Sequence, residues 1–313
     1  MKFSVIIVTR NRKDDLRVSL EGYIRQTHPD KEIIVVDNQS TDGTMEMIQA
    51  EYPYIKYLWL PDNFDIRSIN IGIEMSSGDI IWRTDSDSHP EDEHTFEKVC
   101  KIFQDNPNID IIATEDIEVR KGMQPWEWYP LPIDKSNVPA DGFKANFFPG
   151  TGAAIKRKVY DTIGGFWEFG FEELDFCTRA IVAGFNVRYF PNIRTLHYAS
   201  PQDRDNPNRW VKASKQYIRY NWRYFPFSKA LGRSSQIFFY QIIFAVINRL
   251  PIGSIIEGML GMLEIMFFAY RNERAVVPKE KLADITLGVS VAHTQYRFFK
   301  QVIGNKLKRL WKS

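Results

Sequence analysis

The residues with the clearest chemical potential are Asp85-Ser86-Asp87, which follow the apolar run Ile80-Ile81-Trp82. In an extended chain alternate side chains share a face, so the two carboxylates are expected on one side. Paired oxygen donors suit Mg²⁺ or Mn²⁺, which keep positions for water and substrate phosphate. Such an ion would offset the charge that builds on a departing diphosphate. The alternative is a solvated turn, and D-x-D alone is a weak signal. Arg83 is an unusual side chain for such a strand and could pair with these carboxylates. His197, between Leu196 and Tyr198, reads either as a hydrogen-bonded core histidine or, if its loop returns to Asp87, as a nitrogen ligand for the same ion.

A second acidic cluster, Glu172-Glu173-Leu174-Asp175, opens a predicted helix with Leu174, Cys177 and Ile181 as its apolar stripe. Asp175 and Arg179 make a favourable i,i+4 pair. Acids at a helix N-terminus complement its dipole, and at least one of the three is expected to do only that. A carboxylate here also suits a general base, because a hydroxyl is a poor nucleophile until its proton is taken. Residue types alone do not choose among Glu172, Glu173 and Asp175. Gly150-Thr151-Gly152 reads as an ordinary turn or as backbone brought close to a ligand. Gly164-Gly165-Phe166-Trp167 offers flat aromatic faces for sugar stacking or for the core.

These residues need a frame. The pattern predicts strands at 3–8, 33–36, 57–60 and 80–82, with helices over 11–24, 44–51 and 66–76 between them. Such alternation predicts an α/β chain built on a mainly parallel, doubly wound sheet. Ligands of these sheets lie beyond the carboxyl ends of the strands, where Thr9-Arg10-Asn11, Asp37-Asn38 and Asp85-Ser86-Asp87 all fall. Beyond residue 106 the pattern loosens into a strand at 109–113 and an irregular loop around Trp126-Glu127-Trp128. A helix over 172–183 and a strand over 187–190, stopped by Pro191, are expected next.

The net charge of +2 over 313 residues conceals an asymmetry. Residues 200–313 carry 19 Lys and Arg against 7 Asp and Glu, while the part before them carries 22 against 32. No recognisable nucleic-acid module accompanies the basic end, so nucleic acid is not an expected partner. Cys100 and Cys177 sit in apolar contexts without metal-ligand spacing, which fits a reducing compartment. No secretory signal pattern is seen, and no uncharged run reaches the ~18 residues of a clear membrane span. A cytoplasmic location is expected, at the inner face of the cell membrane if the C-terminal end binds lipid. Residues 285–313 hold six basic residues and no acidic ones, with Tyr296, Phe299, Ile303, Leu307 and Leu310 at helical spacing, which suits an anionic bilayer surface. Upstream, the apolar segments 237–247 and 252–270 suit packing on each other, pairing in a homo-oligomer, or the membrane interface.

Taken in order, these motifs resemble glycosyltransferase family 2, whose members have the GT-A fold, from Ser4 to His197. The run from Ser4 to Arg12 resembles the family's opening strand and first donor loop. Val35-Val36-Asp37-Asn38-Gln39-Ser40-Thr41-Asp42-Gly43-Thr44 resembles its "VVDNxSxDGT" signature. The resemblance implies a nucleotide-diphosphate sugar held by Thr9, Arg10, Asn11, Asp37, Asn38, Arg67, Asp85 and Ser86. It implies Mn²⁺ or Mg²⁺ on Asp85, Asp87 and His197, and Glu173 in the base position, with one displacement inverting the sugar. Gly150, Thr151, Gly152 and Trp167 are expected beside the acceptor, a saccharide or polyprenyl-linked saccharide. Glu173 stands where aspartate is more frequent, and Asp65 and Arg67 also depart from the pattern, which leaves the nucleotide open. The implied organisation is a donor half at 1–100, an acceptor half at 101–200, and a basic helical extension at 201–313. Two other readings use the same residues. A nucleotidyltransferase would carry a glycine-rich phosphate loop, and Thr9-Arg10-Asn11-Arg12 has no glycine. An inactive GT-A-like binding subunit would have little reason to keep Asp85, Asp87, Glu173 and His197 together.

Overall fold

A computed structural model describes residues 1–120, 127–199, 207–247 and 251–288. The chain divides into two units, Met1–Pro201 and Gln202–Ser313.

The first unit opens with β1 (Phe3–Thr9), α1 (Lys13–Ile24), β2 (Lys31–Asp37), α2 (Thr44–Glu51), β3 (Lys56–Trp59), α3 (Ser68–Glu74) and β4 (Ile80–Asp85). The strands β3, β2, β1 and β4 lie side by side, all parallel. Ile6, Ile7, Val35 and Val36 are wholly buried. Unbroken β-branched runs of this kind belong to strands covered on both faces.

The unit continues through β5 (Ser88–Pro90), α4 (Thr95–Asp105), β6 (Ile111–Glu118), β7 (Phe143–Lys144), β8 (Ala153–Lys156), α5 (Arg157–Ile163), α6 (Glu172–Val182) and β9 (Val187–His197). One sheet results, in the order β3-β2-β1-β4-β8-β6-β9-β5, with β7 added to β9. The second half is mixed: β8 runs antiparallel between β4 and β6, whereas β6 and β9 are parallel. The fold is that of an α/β chain whose first half is the expected parallel, doubly wound sheet. At one point α1 packs especially close on β5. A Cβ on Gly22 would stand 2.3 Å from the His89 ring, so only glycine lets the helix and the strand meet.

Strand β9 does not stop at Pro191. Its pairing with β6 passes from Thr114↔Phe190 to Glu115↔Arg194, so three residues of β9 bulge out and the ladder then resumes. Pro191 lies in this bulge, where the ladder requires no N–H from it. The resumed strand carries His197 to a place opposite Glu118 on one side and Ser88 on the other.

In the second unit α7 (Pro207–Tyr224) packs against α8 (Phe227–Ile247) and α9 (Ile252–Asn272), followed by α10 (Leu282–Thr286). Buried Arg233 donates to Asn221 Oδ1 and Tyr217 Oη, and Trp222 Nε1 donates to Ser234, which locks α7 to α8. Among the described residues α9 is the one helix long and apolar enough to cross a membrane, and 11% of that stretch is buried. Its Glu257 and Glu264 break the uncharged run. The basic amphipathic helix expected over 285–313 lies, from residue 289 on, outside the described residues.

Candidate active site

The loops at the carboxyl ends of β1 and β2 are built by their own polar side chains. Asp37 is wholly buried, with Oδ2 accepting the Tyr57 hydroxyl at 2.6 Å and Oδ1 accepting Ser40 N–H at 2.8 Å. Burial and that bond to Asp37 push the Tyr57 phenol far above its ordinary pKa, so it remains a donor. Asn38 is spent in the same way, donating to Asp65 O and Ser68 Oγ and accepting from Phe64 N–H. Asp42 accepts Lys13 N–H and Thr44 N–H, supplying the first turns of both α1 and α2 with a cap. Asn11 accepts Thr41 N–H, and its own N–H donates to Ser40 Oγ. Thr9 is buried, and its Oγ1 has no hydrogen-bond partner among the described residues. Arg10 and Arg67 are exposed. Among the described residues, five non-glycine residues have positive φ, and four of them (Asn11, Gln39, Asp65 and Phe171) lie in these loops or at the start of α6. Backbone strain of this kind gathers at functional sites.

The two carboxylates of Asp85-Ser86-Asp87 do not simply share a strand face. Asp85 ends β4, and Ser86-Asp87 turn into β5, so each acid takes its own partners. Ser86 is buried, and its carbonyl accepts the Ser19 hydroxyl. Asp85, 43% exposed at its side chain, pairs with Arg83 at 3.0 Å. Asp87 is nearly buried; its Oδ2 meets Arg12 Nη1 at 2.5 Å, and its Oδ1 lies 3.8 Å from His197 Nε2. Burial and the Asp85 charge push the Asp87 carboxyl up, against the pull of His197 and Arg12. On His197 burial works against the cation, but Asp116, Asp87 and Asp85 outweigh it and raise the pKa.

Arg83 joins this group to the acidic helix. Its guanidinium is 1% exposed, and Nη2 stands 3.1 Å from Glu173 Oε1. Room for it exists because residue 150 is glycine: a Cβ there would lie 2.2 Å from Arg83 Nη1 and 2.9 Å from Asp85 Oδ2. Of the two readings for Gly150-Thr151-Gly152, the turn is the one seen, closed by Gly152 N–H donating to Pro149 O, and a Cβ on Gly152 would stand 2.5 Å from Thr195 Cγ2. Thr151 is buried, and its carbonyl accepts the Thr84 hydroxyl.

Phe171, at φ 63, starts α6 and sets Glu172 and Glu173 in its first turn. Burial raises both carboxyls, most firmly Glu173, which burial and the neighbouring Glu172 push up to about 8 against the pull of Arg83. Glu172 accepts Gly170 N–H at 2.7 Å. Asp175 is held by Arg179 at 2.8 Å, and Arg179 also binds the carbonyls of Ile163 and Gly165. Asn70 clamps the same loop through Phe166 N–H and O. Phe166 is core, stacked on Phe176, while Trp167 lies against the Arg179 guanidinium at 4.8 Å.

The structure therefore brings Asp85, Glu173 and Gly150 around Arg83, and Asp87 and His197 around a second focus. Among the described residues no three His, Cys, Asp or Glu side chains are gathered to hold a metal ion. Asp87 and His197 nonetheless present a carboxylate and an imidazole, donor types that Mn²⁺ accepts. Sequence reasoning passed over Arg12 and Asp116, because an arginine in a loop and an aspartate within a strand carry no spacing signal.

Residues 4–164 match the family model for glycosyl transferase family 2, just over half of the chain. A probable glycosyltransferase of Bacillus subtilis, YdaM, is 25% identical over 222 residues, 61% of this chain and 49% of that protein. A cholesterol galactosyltransferase of Borreliella burgdorferi is 29% identical over 140 residues, covering 42% of this chain and 38% of its own. The chain spans about half the length of the first curated relatives it matches. Among solved structures, S. aureus TarS 1-349 in complex with UDP-GlcNAc superposes with a TM-score of 0.58 at 15% identity, over 90% of this chain and 82% of that one. Mannosyltransferase PcManGT from Pyrobaculum calidifontis, in complex with GDP-Man and Mn²⁺, gives 0.54 at 16% identity over 99% and 82%. These likenesses establish the fold as GT-A, and the chain belongs to glycosyl transferase family 2.

Proposed function

We propose that the protein is a glycosyltransferase that moves a sugar from a nucleotide-diphosphate donor to a hydroxyl of a saccharide or lipid-linked saccharide, with inversion. The observation that carries this reading is the placement of Glu173. Its carboxylate shares the buried Arg83 guanidinium with Asp85, so base and diphosphate side are fixed to one rigid cation. Thr9 and the loops ordered by Asp37 and Asn38 receive the nucleotide, with Arg10 and Arg67 at the rim. Asp87 and His197, with Asp85 beside them, would hold Mn²⁺ or Mg²⁺, which when bound would supply positive charge to the leaving diphosphate. Glu173 takes the proton of the attacking hydroxyl, for which a raised pKa near working pH is the useful range. Gly150, Thr151, Gly152 and Trp167 border the acceptor. Of the three acids, Asp175 pairs with Arg179 and Glu172 accepts Gly170 N–H, and Glu173, which shares Arg83 with Asp85, is assigned here as the base. A panel of nucleotide sugars with Mn²⁺ and Mg²⁺, scored by nucleoside diphosphate release, tests the reading. Release of pyrophosphate instead would favour a nucleotidyltransferase, and no turnover with any donor would favour the inactive subunit.

A membrane-borne acceptor is favoured by α9. Ile252, Ile256, Leu260, Leu263 and Phe267 are all exposed along one side of it, at helical spacing. With the basic end of the chain this suits a cytoplasmic protein resting on the inner face of the cell membrane. Co-sedimentation with anionic vesicles should drop when Ile256, Leu260 and Phe267 are changed together to glutamine. Unchanged binding would remove the membrane reading and leave subunit pairing for that face.

A further inference from the structure

His197 has a second neighbour that the donor and acceptor chemistry does not use. Strand β6 runs beside β9 with Asp116 opposite Thr195 and Glu118 opposite His197. Asp116 Oδ1 stands 3.2 Å from His197 Nδ1, and its side chain is 2% exposed. The contact lies at ion-pair distance without full hydrogen-bond alignment, and neither Asp116 oxygen has another hydrogen-bond partner among the described residues. A carboxylate buried with so little compensation costs free energy and is hard to explain as packing.

We propose that Asp116 is the positioning residue that turns His197 Nε2 toward the divalent cation. The inference rests on the metal reading above. A carboxylate can only accept, so it fixes the imidazole proton on Nδ1 and leaves the Nε2 lone pair as the donor atom. Nε2 is the nitrogen that faces Asp87, 3.8 Å from Oδ1. Glu118 is a weaker candidate for the same task. Its Oε1 accepts Arg120 N–H and Ala199 N–H, and its Oε2 is 4.0 Å from the ring.

The test is a titration of the full chain with Mn²⁺, alone and with uridine or guanosine diphosphate, reading free Mn²⁺ by electron paramagnetic resonance. Wild type, Asp116→Asn, Glu118→Gln, His197→Ala and the Asp116→Asn/His197→Ala double variant are compared. Asp116→Asn should weaken Mn²⁺ binding by roughly 10–100-fold, the usual cost of losing a partner behind a metal-bound histidine. Glu118→Gln should change it little. The double variant should bind no worse than His197→Ala, since Asp116 acts through the ring alone. Imidazole ¹⁵N shifts of the metal-free protein should place the His197 proton on Nδ1 in wild type and release that preference in Asp116→Asn. Should Asp116→Asn fail to fold, Asp116→Ser carries the same comparison. Unchanged Mn²⁺ affinity in the Asp116 variants, with loss in His197→Ala, overturns the proposal while sparing the metal reading. Absence of Mn²⁺ binding in wild type, or full binding in His197→Ala, overturns both.

Discussion

Replacing Glu173 by glutamine should separate a base held under electrostatic strain from an ordinary structural ion pair. The carboxyl has its pKa pushed from an ordinary 4.5 to about 8, chiefly by burial and by Glu172, with Arg83 opposing. The folded value lies above the unfolded one, so its contribution to stability is full below about pH 4.5 and is lost as pH rises through about 8. At about 1.4 kcal/mol per unit, the ionised wild type forfeits on the order of a few kcal/mol at alkaline pH. Glutamine never ionises and escapes this loss. The variant should match wild type in urea melts at pH 4.5, and exceed its stability by a margin that grows up to about pH 8 and then levels. Turnover should fall by roughly 10²–10⁴ while donor affinity is kept. The wild-type kcat/KM should rise with pH toward a plateau set by the same group. If Glu173 serves mainly as the structural counter-ion of Arg83, removing its charge strands a buried guanidinium and the variant is less stable at pH 9. That result, or near-normal turnover, would refute the assignment.

Asp87→Asn should lower metal-supported donor turnover by at least about a hundredfold with the thermal midpoint kept, checked by diphosphate release with and without chelator. Gly150→Ala thrusts a methyl against Arg83 and Asp85, so kcat should fall more than about tenfold, while a mutation acting only on fold stability would leave per-molecule kcat intact. Gly22→Ala, by contrast, meets only the His89 ring. It should cost about 1–3 kcal/mol in denaturant melts and leave the donor KM unchanged in the folded fraction.

The parallel half of the sheet was legible because each strand there is an uninterrupted apolar run followed by a helical period. Residues 44–51 match α2 to the residue. Strand β8 and helix α5 are not legible, since Ala153–Lys156 is four residues long and opens on two alanines directly after Gly152, in a stretch that also reads as a turn. Strand β9 was cut short at Pro191 because a proline ordinarily ends a ladder, and the bulge that accommodates it depends on β6, more than seventy residues away. At the site, residue types and motif order named Asp85, Asp87, Glu173 and His197 and the pairing of Arg83 with the Asp85 carboxylate, yet not Arg12 on Asp87 nor the reach of Arg83 to Glu173. Arg12 and Arg83 act through distance in space. Asp37 and Asn38 show the converse, motif residues whose side chains are already engaged within the protein.

Strand β9 is also the seam of the mixed half of the sheet, and this bears on how the chain is made. It is the hydrogen-bonded neighbour of β5, β6 and β7, and among the described strands β5 has no other ladder partner. During synthesis the four parallel strands of the front half can associate from contacts within the first eighty-odd residues. The turn bearing Asp87, which leads into β5, gains its flank only when residues up to His197 have left the ribosome and paired with strands made long before. Non-local pairing of this sort is slow relative to local helix and strand formation. A nascent chain therefore holds its parallel half well before Asp87 and His197 can meet, and their pairing arrives as a single late event.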